Sequence, residues 1–182
     1  NAITPNQVNE IFLKSNIIRD LNKKKIACIA SHLKALKYCL ENFNNDVFLI
    51  LEDDVILFPD PEIVDFSKAY KNPDWEILRI EHASINTFNK SQEAFHSGYL
   101  LQGWDINFDI GSAAYFIKRE SAEKLINKYF VILNNIEKIN LDKSYFTDPK
   151  FLVADRLIFN NANCFNFTFP LAYQNLDYES DI

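Results

Sequence analysis

Glu52-Asp53-Asp54 is the part of this sequence best equipped for chemistry. Adjacent like charges repel, and a cluster of this kind is most stable when a cation neutralises it. The plain alternative is a solvated acidic turn between two strands, since surface acids are common. Asp105 and Asp109 follow Gly103-Trp104, and Asp155 interrupts the apolar run Phe151-Leu152-Val153-Ala154-Asp155-Arg156-Leu157-Ile158-Phe159. Asp155 reads equally well as a structural acid paired with Arg156 or another base, because buried acids are normally paired. Ser31-His32 cannot act as nucleophile and base on the strength of adjacency, because neighbouring residues on a helix do not face each other. A histidine capping a nearby carbonyl is the simpler reading there.

The elements that must position these groups follow from hydrophobic pattern. Val47-Phe48-Leu49-Ile50-Leu51 reads as a strand buried on both faces, of the kind found at the centre of a mostly parallel α/β sheet. Three carboxylates could not stay in that interior, so the chain must leave the core at Glu52. The carboxyl end of a central strand is where open α/β sheets place their ligands. Ahead of it, the spacing of Ile26, Ile29, Ala30, Leu33, Leu36 and Leu40 predicts an amphipathic helix from Lys25 to Asn42. Beyond it, Trp75 to Ile80 predicts a strand with Glu81-His82 at its exit, and residues 83–97 lack periodicity and read as a long loop. Gly111-Ser112-Ala113-Ala114-Tyr115-Phe116-Ile117 reads as a strand whose small first residues allow close approach of a ligand or another chain segment. Arg119 to Val131 and Phe151 to Phe159 read as helices, and Phe165, Phe167 and Phe169 alternate with Asn166 and Thr168 as in a strand ended by Pro170. Short helices are expected from Thr4-Pro5 and after Asp60.

With 182 residues, the chain suits one domain, 1–182, with a substantial core. Its formal charge of -6 offers no field for nucleic acid, so anionic ligands must be handled locally. Three cysteines, Cys28, Cys39 and Cys164, make no close ligand pairing and no disulfide scaffold, which points to a reducing compartment. No apolar run reaches a transmembrane length, which leaves peripheral membrane association open. Oligomeric state is not legible.

Several segments together carry a family resemblance. Cys28-Ile29-Ala30-Ser31-His32-Leu33, followed by Phe48-Leu49-Ile50-Leu51-Glu52-Asp53-Asp54-Val55, resembles the paired signature of glycosyltransferase family 25. That family includes bacterial lipooligosaccharide galactosyltransferases and collagen hydroxylysine galactosyltransferases. Gly111 to Ile117 with Ser121-Ala122-Glu123-Lys124-Leu125, then Val153-Ala154-Asp155, then Pro170-Leu171-Ala172-Tyr173-Gln174 with Ser180-Asp181-Ile182 continue it in family order. Coverage runs from about residue 26 to 182. Nothing before Lys25 matches the family's first strand, which is either missing or diverged, and Lys25-Ile26-Ala27 stands where the family commonly has glycine.

The resemblance implies an α/β fold of the GT-A-like, Rossmann type with a mostly parallel central sheet, and an inverting, metal-dependent hexosyltransferase. Its expected cofactor is Mn²⁺ or Mg²⁺, which suit hard oxygen ligands. Its expected partners are a UDP-sugar, with galactose favoured, and a glycan or glycosylated acceptor. Asp54 is the expected direct metal ligand, with Glu52 contacting metal through water or binding donor ribose or sugar, and Asp53 the remaining candidate. Asp155 is the first choice for the base that deprotonates the acceptor, Asp109 the second and Asp105 the third. His32, supported by Ser31, is expected to orient donor phosphate or a ligating carboxylate. Arg79, Arg119 and Arg156 are candidate phosphate partners, and Trp104 could stack on acceptor sugar or simply pack in the core. The expected location is cytoplasmic, at the inner face of a membrane for a lipid-linked acceptor. Other classes consistent with the residues are an inactive carbohydrate-binding or assembly module and a metal-dependent phosphohydrolase or nucleotidyltransferase.

Overall fold

The computed structural model describes residues 23–58, 74–107, 109–133, 136–141 and 153–175. The helices expected from Thr4-Pro5 and after Asp60, the start of the helix expected at Phe151, and Ser180-Asp181-Ile182 lie outside these residues. Two compact units emerge, Asn1–Asp46 with Arg119–Ile158 and Ile182, and Val47–Lys118 with Phe159–Asp181. Among the described residues, no helix is long and apolar enough to cross a membrane.

The first unit is built on helix α1, Lys23–Asn42. Its buried residues Ile26, Ile29, Ala30, Leu33 and Leu36 recur with the helical period, as the sequence predicts. They pack toward helix α3, Arg119–Tyr129, which buries Ala122, Leu125 and Tyr129. Arg119 ties the two together through its backbone N–H to the Asp46 carbonyl at 2.8 Å and its guanidinium to the carbonyls of Asn45 and Phe43. The sequence carries this helix to Val131, whereas the chain turns extended at Phe130 and forms a hairpin of β6, Phe130–Leu133, and β7, Ile136–Ile139. The β-branched pair Val131-Ile132 explains the change, because such side chains lose rotamer freedom in a helix and fit a pleated surface. Helix α4, Ala154–Phe159, is buried along its length.

The second unit holds a five-stranded sheet in the order β1-β5-β3-β8-β4. Its strands are β1 Val47–Leu51, β3 Ile77–Arg79, β4 Leu101–Gly103, β5 Ala114–Lys118 and β8 Cys164–Phe167. Only β3 and β8 are parallel; β1 with β5, β5 with β3 and β8 with β4 run antiparallel. The sheet is therefore mixed rather than mostly parallel. Among the described strands β1 stands at the edge, with Phe48 and Ile50 buried and Leu49 and Leu51 about two-fifths exposed, at 41% and 42%. An uninterrupted apolar run does not distinguish a strand covered on both faces from one covered on a single face, because the run itself has no alternation to read. Among the strands of this sheet, β3 is buried at every residue. Trp75, Leu78, Ile80, Ala114, Phe167 and Ala172 form the core packed against this sheet. A second ribbon pairs β2, Val55–Leu57, with β9, Ala172–Gln174.

Residues 83–97 are not a loop. Helix α2, Ile85–His96, starts at Ser84, whose side chain accepts the Thr87 N–H. Its amphipathicity is inverted: Thr87 and Ser91 are buried, while Ile85, Phe88 and Phe95 are exposed. Thr87 bonds Asp109 and Ser91 bonds Gln102, so polar side chains face inward because polar partners wait there. A search for an apolar stripe facing the core has nothing to find in such a helix.

Candidate active site

The acids are gathered by the carboxyl ends of β1 and β3 on either side of the segment that enters β5. Glu52 continues the β1 ladder for one residue, its N–H donating to the Ala113 carbonyl at 2.7 Å. A tight turn follows, closed by the Val55 N–H on the Glu52 carbonyl at 3.3 Å, and the chain passes into β2. The acidic triplet is therefore a turn between two strands that belong to different sheets, and each acid meets a different environment there.

Asp53 is exposed at the apex. Glu52 is half-buried and accepts a hydrogen bond from Ser112 Oγ at 3.2 Å. Asp54 is held from the β9 side, its carbonyl accepting the Asn175 N–H at 2.8 Å and its Oδ2 accepting from the Gln174 amide at 3.3 Å. Its other oxygen, Oδ1, is buried without a hydrogen-bond partner among the described residues. Burial, then the neighbouring charges of Glu52 and Asp53, push the Asp54 carboxyl above its ordinary range.

At the end of β3, Glu81 is almost fully buried and pairs with Arg79 Nη2 at 3.1 Å. Burial pushes its carboxyl up, against the opposing pull of Arg79 and of a hydrogen bond from the Ala113 backbone. Arg79, itself fully buried, also donates Nη1 to Asn166 Oδ1 at 3.0 Å and Nη2 to the Ile110 carbonyl. Asn166 passes the network on to Asp109 Oδ2 at 2.8 Å. This explains a departure from the strand pattern expected at the carboxyl end of the chain: Asn166 is buried and Phe165 only partly so, because Asn166 completes a polar network inside the sheet. Beside Glu81, His82 donates Nε2–H to the Phe167 carbonyl at 2.8 Å, and burial lowers its proton affinity.

The other expected site residues separate by environment. Asp109 is fully buried with both oxygens engaged, Oδ1 by Thr87 Oγ at 2.7 Å and Oδ2 by Asn166 and by the Asp105 N–H at 2.7 Å. Asp105 accepts from the Asn107 N–H at 2.9 Å and lies 3.5 Å from Lys90 Nζ; the Asn107 bond first, and Lys90 with it, hold its carboxyl below the ordinary range. Trp104 packs edge-on against Phe159, ring centres 5.8 Å apart. These residues, with Glu52, Asp53, Asp54 and Arg79, all lie in the second unit. Ser31 and His32 stand on α1 in the first unit, His32 buried and Ser31 half-buried. Asp155 lies in the same unit near the start of α4, buried, its Oδ1 accepting the Arg156 N–H at 2.8 Å.

Glu81, Ser112 and Gln174 were not among the residues expected at the site. The polar exit Glu81-His82 and the small residues before β5 were the available signals, but a pairing between segments thirty and more positions apart leaves no local pattern. Gly111 shows what the small residues serve: at φ 94°, a Cβ there would lie 2.6 Å from Glu81 Oε1 and from the Ala83 methyl, so the close approach is to another chain segment.

Residues 2–144 match the family model for glycosyltransferase family 25, described as an LPS biosynthesis protein. No curated protein matches the chain. The match includes the stretch before Lys25, in which no family motif stands out, and it ends before Val153-Ala154-Asp155 and the closing blocks. Matched over most of its length, with the acidic turn inside the matched span, the chain belongs to glycosyltransferase family 25, whose members transfer sugar from a nucleotide-sugar donor to an acceptor glycan.

Proposed function

We propose that this chain moves a sugar, with galactose the favoured one, from a uridine diphosphate donor to a glycan hydroxyl, inverting the sugar carbon, with a divalent cation held by Asp54 and Glu52. The observation that carries this reading is Asp54 Oδ1, a buried carboxylate oxygen with no hydrogen bond among the described residues, set beside a second carboxylate where β1 leaves the sheet. A buried acceptor without a partner is costly, and here like charges add to the cost. A bound cation would offset both penalties. The donors are carboxylate oxygens, which suit Mg²⁺ or Mn²⁺.

Such a cation supplies neutralisation of the charge that develops on a departing nucleoside diphosphate. The chain's own residues do the rest. Asp54 presents the open oxygen, and Glu52 the second carboxylate or a contact to donor ribose. Asp53, exposed at the turn, is available to the donor. Ser31 and His32 are assigned to donor phosphate. Arg79 has Nη1 committed to Asn166 and Nη2 to Glu81 and the Ile110 carbonyl, which leaves Nε as its one donor without a partner among the described residues, so we assign it to support of the strand ends ahead of phosphate.

Asp155 is the proposed base for the acceptor hydroxyl, on its place in the family pattern. Asp109 ranks behind it because both its oxygens are engaged, and Asp105 because a depressed proton affinity makes a weaker base. The family's description points to the growing carbohydrate of a lipopolysaccharide as the acceptor class, with the membrane-associated, cytoplasmic setting such an acceptor requires.

The test is transfer from a panel of UDP-sugars to a glycan acceptor, with Mn²⁺ or EDTA, by the parent protein and by Asp54→Asn. Loss of metal-dependent transfer in a folded variant supports the assignment. Full transfer by Asp54→Asn removes Asp54 from the metal role, and the donor that reacts identifies the sugar.

A further inference from the structure

Ala113 stands between two acids. The register pairs Leu51 with Ala114 on one side and Arg79 with Tyr115 on the other, so Glu52 and Glu81 leave their strands flanking the residues that lead into β5. The Ala113 peptide touches both: its carbonyl accepts the Glu52 N–H at 2.7 Å, and its N–H donates to the Glu81 carboxylate. Next to it, Ser112 Oγ donates to Glu52 Oε1 at 3.2 Å. Gly111 lies so close to Glu81 that a Cβ would fall 2.6 Å from Oε1. The backbone of residues 111–113 is thus laid on Glu81, and Glu52 is laid on that backbone.

Glu81 is an expensive foundation. It is 1% exposed, it is paired with a fully buried Arg79, and the charge of Glu52 acts on it unfavourably. Well-packed apolar residues commonly match or exceed the stability of a buried ion pair, so the pair's contribution lies in fixed geometry more than in stability. Carboxylates that bind metals are held in turn by hydrogen bonds from residues that never touch the metal.

We infer that Glu81 and Ser112 are positioning residues for Glu52: Glu81 fixes the 111–113 backbone, and Ser112 Oγ with the Ala113 carbonyl sets the direction of the Glu52 carboxylate toward the cation. This rests on the reading of Asp54 and Glu52 as the pair that holds the cation.

The experiment is calorimetric titration of Mn²⁺, without donor, into the full chain and into Glu81→Gln, Ser112→Ala and Asp54→Asn, with a melting curve for each. Expected are no binding by Asp54→Asn and a Kd weakened by about tenfold or more in Ser112→Ala and Glu81→Gln, the range found when the groups supporting a metal ligand are removed. In the transfer assay, the same two variants should need more Mn²⁺ for half-maximal rate and approach the parent rate at saturation. A purely structural role would lower the melting temperature and leave Kd unchanged, and that result overturns the inference. Glu81→Gln leaves Arg79 without its ionic partner; if it fails to fold, Ser112→Ala decides, and parent-like Mn²⁺ affinity there overturns the inference. Parent-like affinity in Asp54→Asn removes the cation reading and this inference with it. Loss of binding in Asp54→Asn alone, with the other two unchanged, overturns this inference and leaves that reading standing.

Discussion

Replacing Asp54 by Asn should stabilise the metal-free protein while removing its response to metal. The substitution keeps the side chain's size and an acceptor for Gln174, and it deletes one of three adjacent negative charges. The folded state raises the Asp54 carboxyl above its ordinary value of 3.8, so the charged form is penalised by folding. That penalty is fully present above the raised value and fades as pH falls through it, vanishing below 3.8, where the group is protonated in both states. Oδ1 itself is buried, but Asp54 as a whole is only partly covered, so water screens the repulsion and limits the relief at neutral pH to about 0.5–1 kcal/mol. For a chain of this size, that is roughly 1–4 °C in melting temperature. Binding works in the opposite direction and is larger: a cation at a hundredfold its Kd stabilises the parent by about 2.7 kcal/mol, or roughly 5–10 °C. Thermal melts followed by circular dichroism at pH 7, in EDTA and in excess Mn²⁺, should therefore show the variant melting higher without metal and the parent higher with it. The variant's advantage in EDTA should shrink as the buffer is acidified. An Asp54→Asn protein that melts below the parent in EDTA, or that keeps the parent's Mn²⁺ shift, refutes the argument.

Other parts of the structure give sharp expectations. Asp109→Ala leaves the Asn166 amide and the Asp105 N–H without their acceptor and takes from Thr87 Oγ one of its partners, Ser84 being the other, and should cost about 3–5 kcal/mol in urea unfolding; a loss under 1 kcal/mol would mean the network is not formed. Gly111→Ala combines a left-handed backbone with a Cβ 2.6 Å from Glu81 Oε1 and the Ala83 methyl; about 1–3 kcal/mol of destabilisation is expected, and a neutral result in the same unfolding assay contradicts the close approach. Cys164 is buried, with its thiol pushed far above the ordinary range by desolvation. A maleimide at pH 8 should therefore leave it unlabelled until denaturant is added, and rapid labelling of the native protein, located by peptide mass, would show that β8 is open.

Much of the local structure was legible because it is written in local pattern. Ile26, Ile29, Leu33 and Leu36 announce α1, and Ala122, Leu125 and Tyr129 announce α3, by a period that the buried faces then reproduce. The acidic turn was legible as well, since three carboxylates in succession cannot remain inside a strand and must mark the point where the chain leaves its sheet. Motif order along the chain pointed to the glycosyltransferase family, and the family match agrees.

Tertiary structure decided what depends on partners distant in sequence. The apolar run Val47–Leu51 is the same string whether its strand lies inside a sheet or at its edge, and among the described strands it is the pairing with β5 alone that places it at the edge. Helix α2 is invisible to an apolar-stripe search because Thr87 and Ser91 point inward to Asp109 and Gln102, contacts that no window of the sequence contains. The same holds for the surroundings of Asp109 and Arg79: Asn166 joins the two from β8 and Thr87 reaches Asp109 from α2, neighbours that no window of the sequence contains. Glu81 and Ser112 come beside Glu52 because strand register, a property of paired backbones rather than of any one segment, sets them on two sides of the same acid's support.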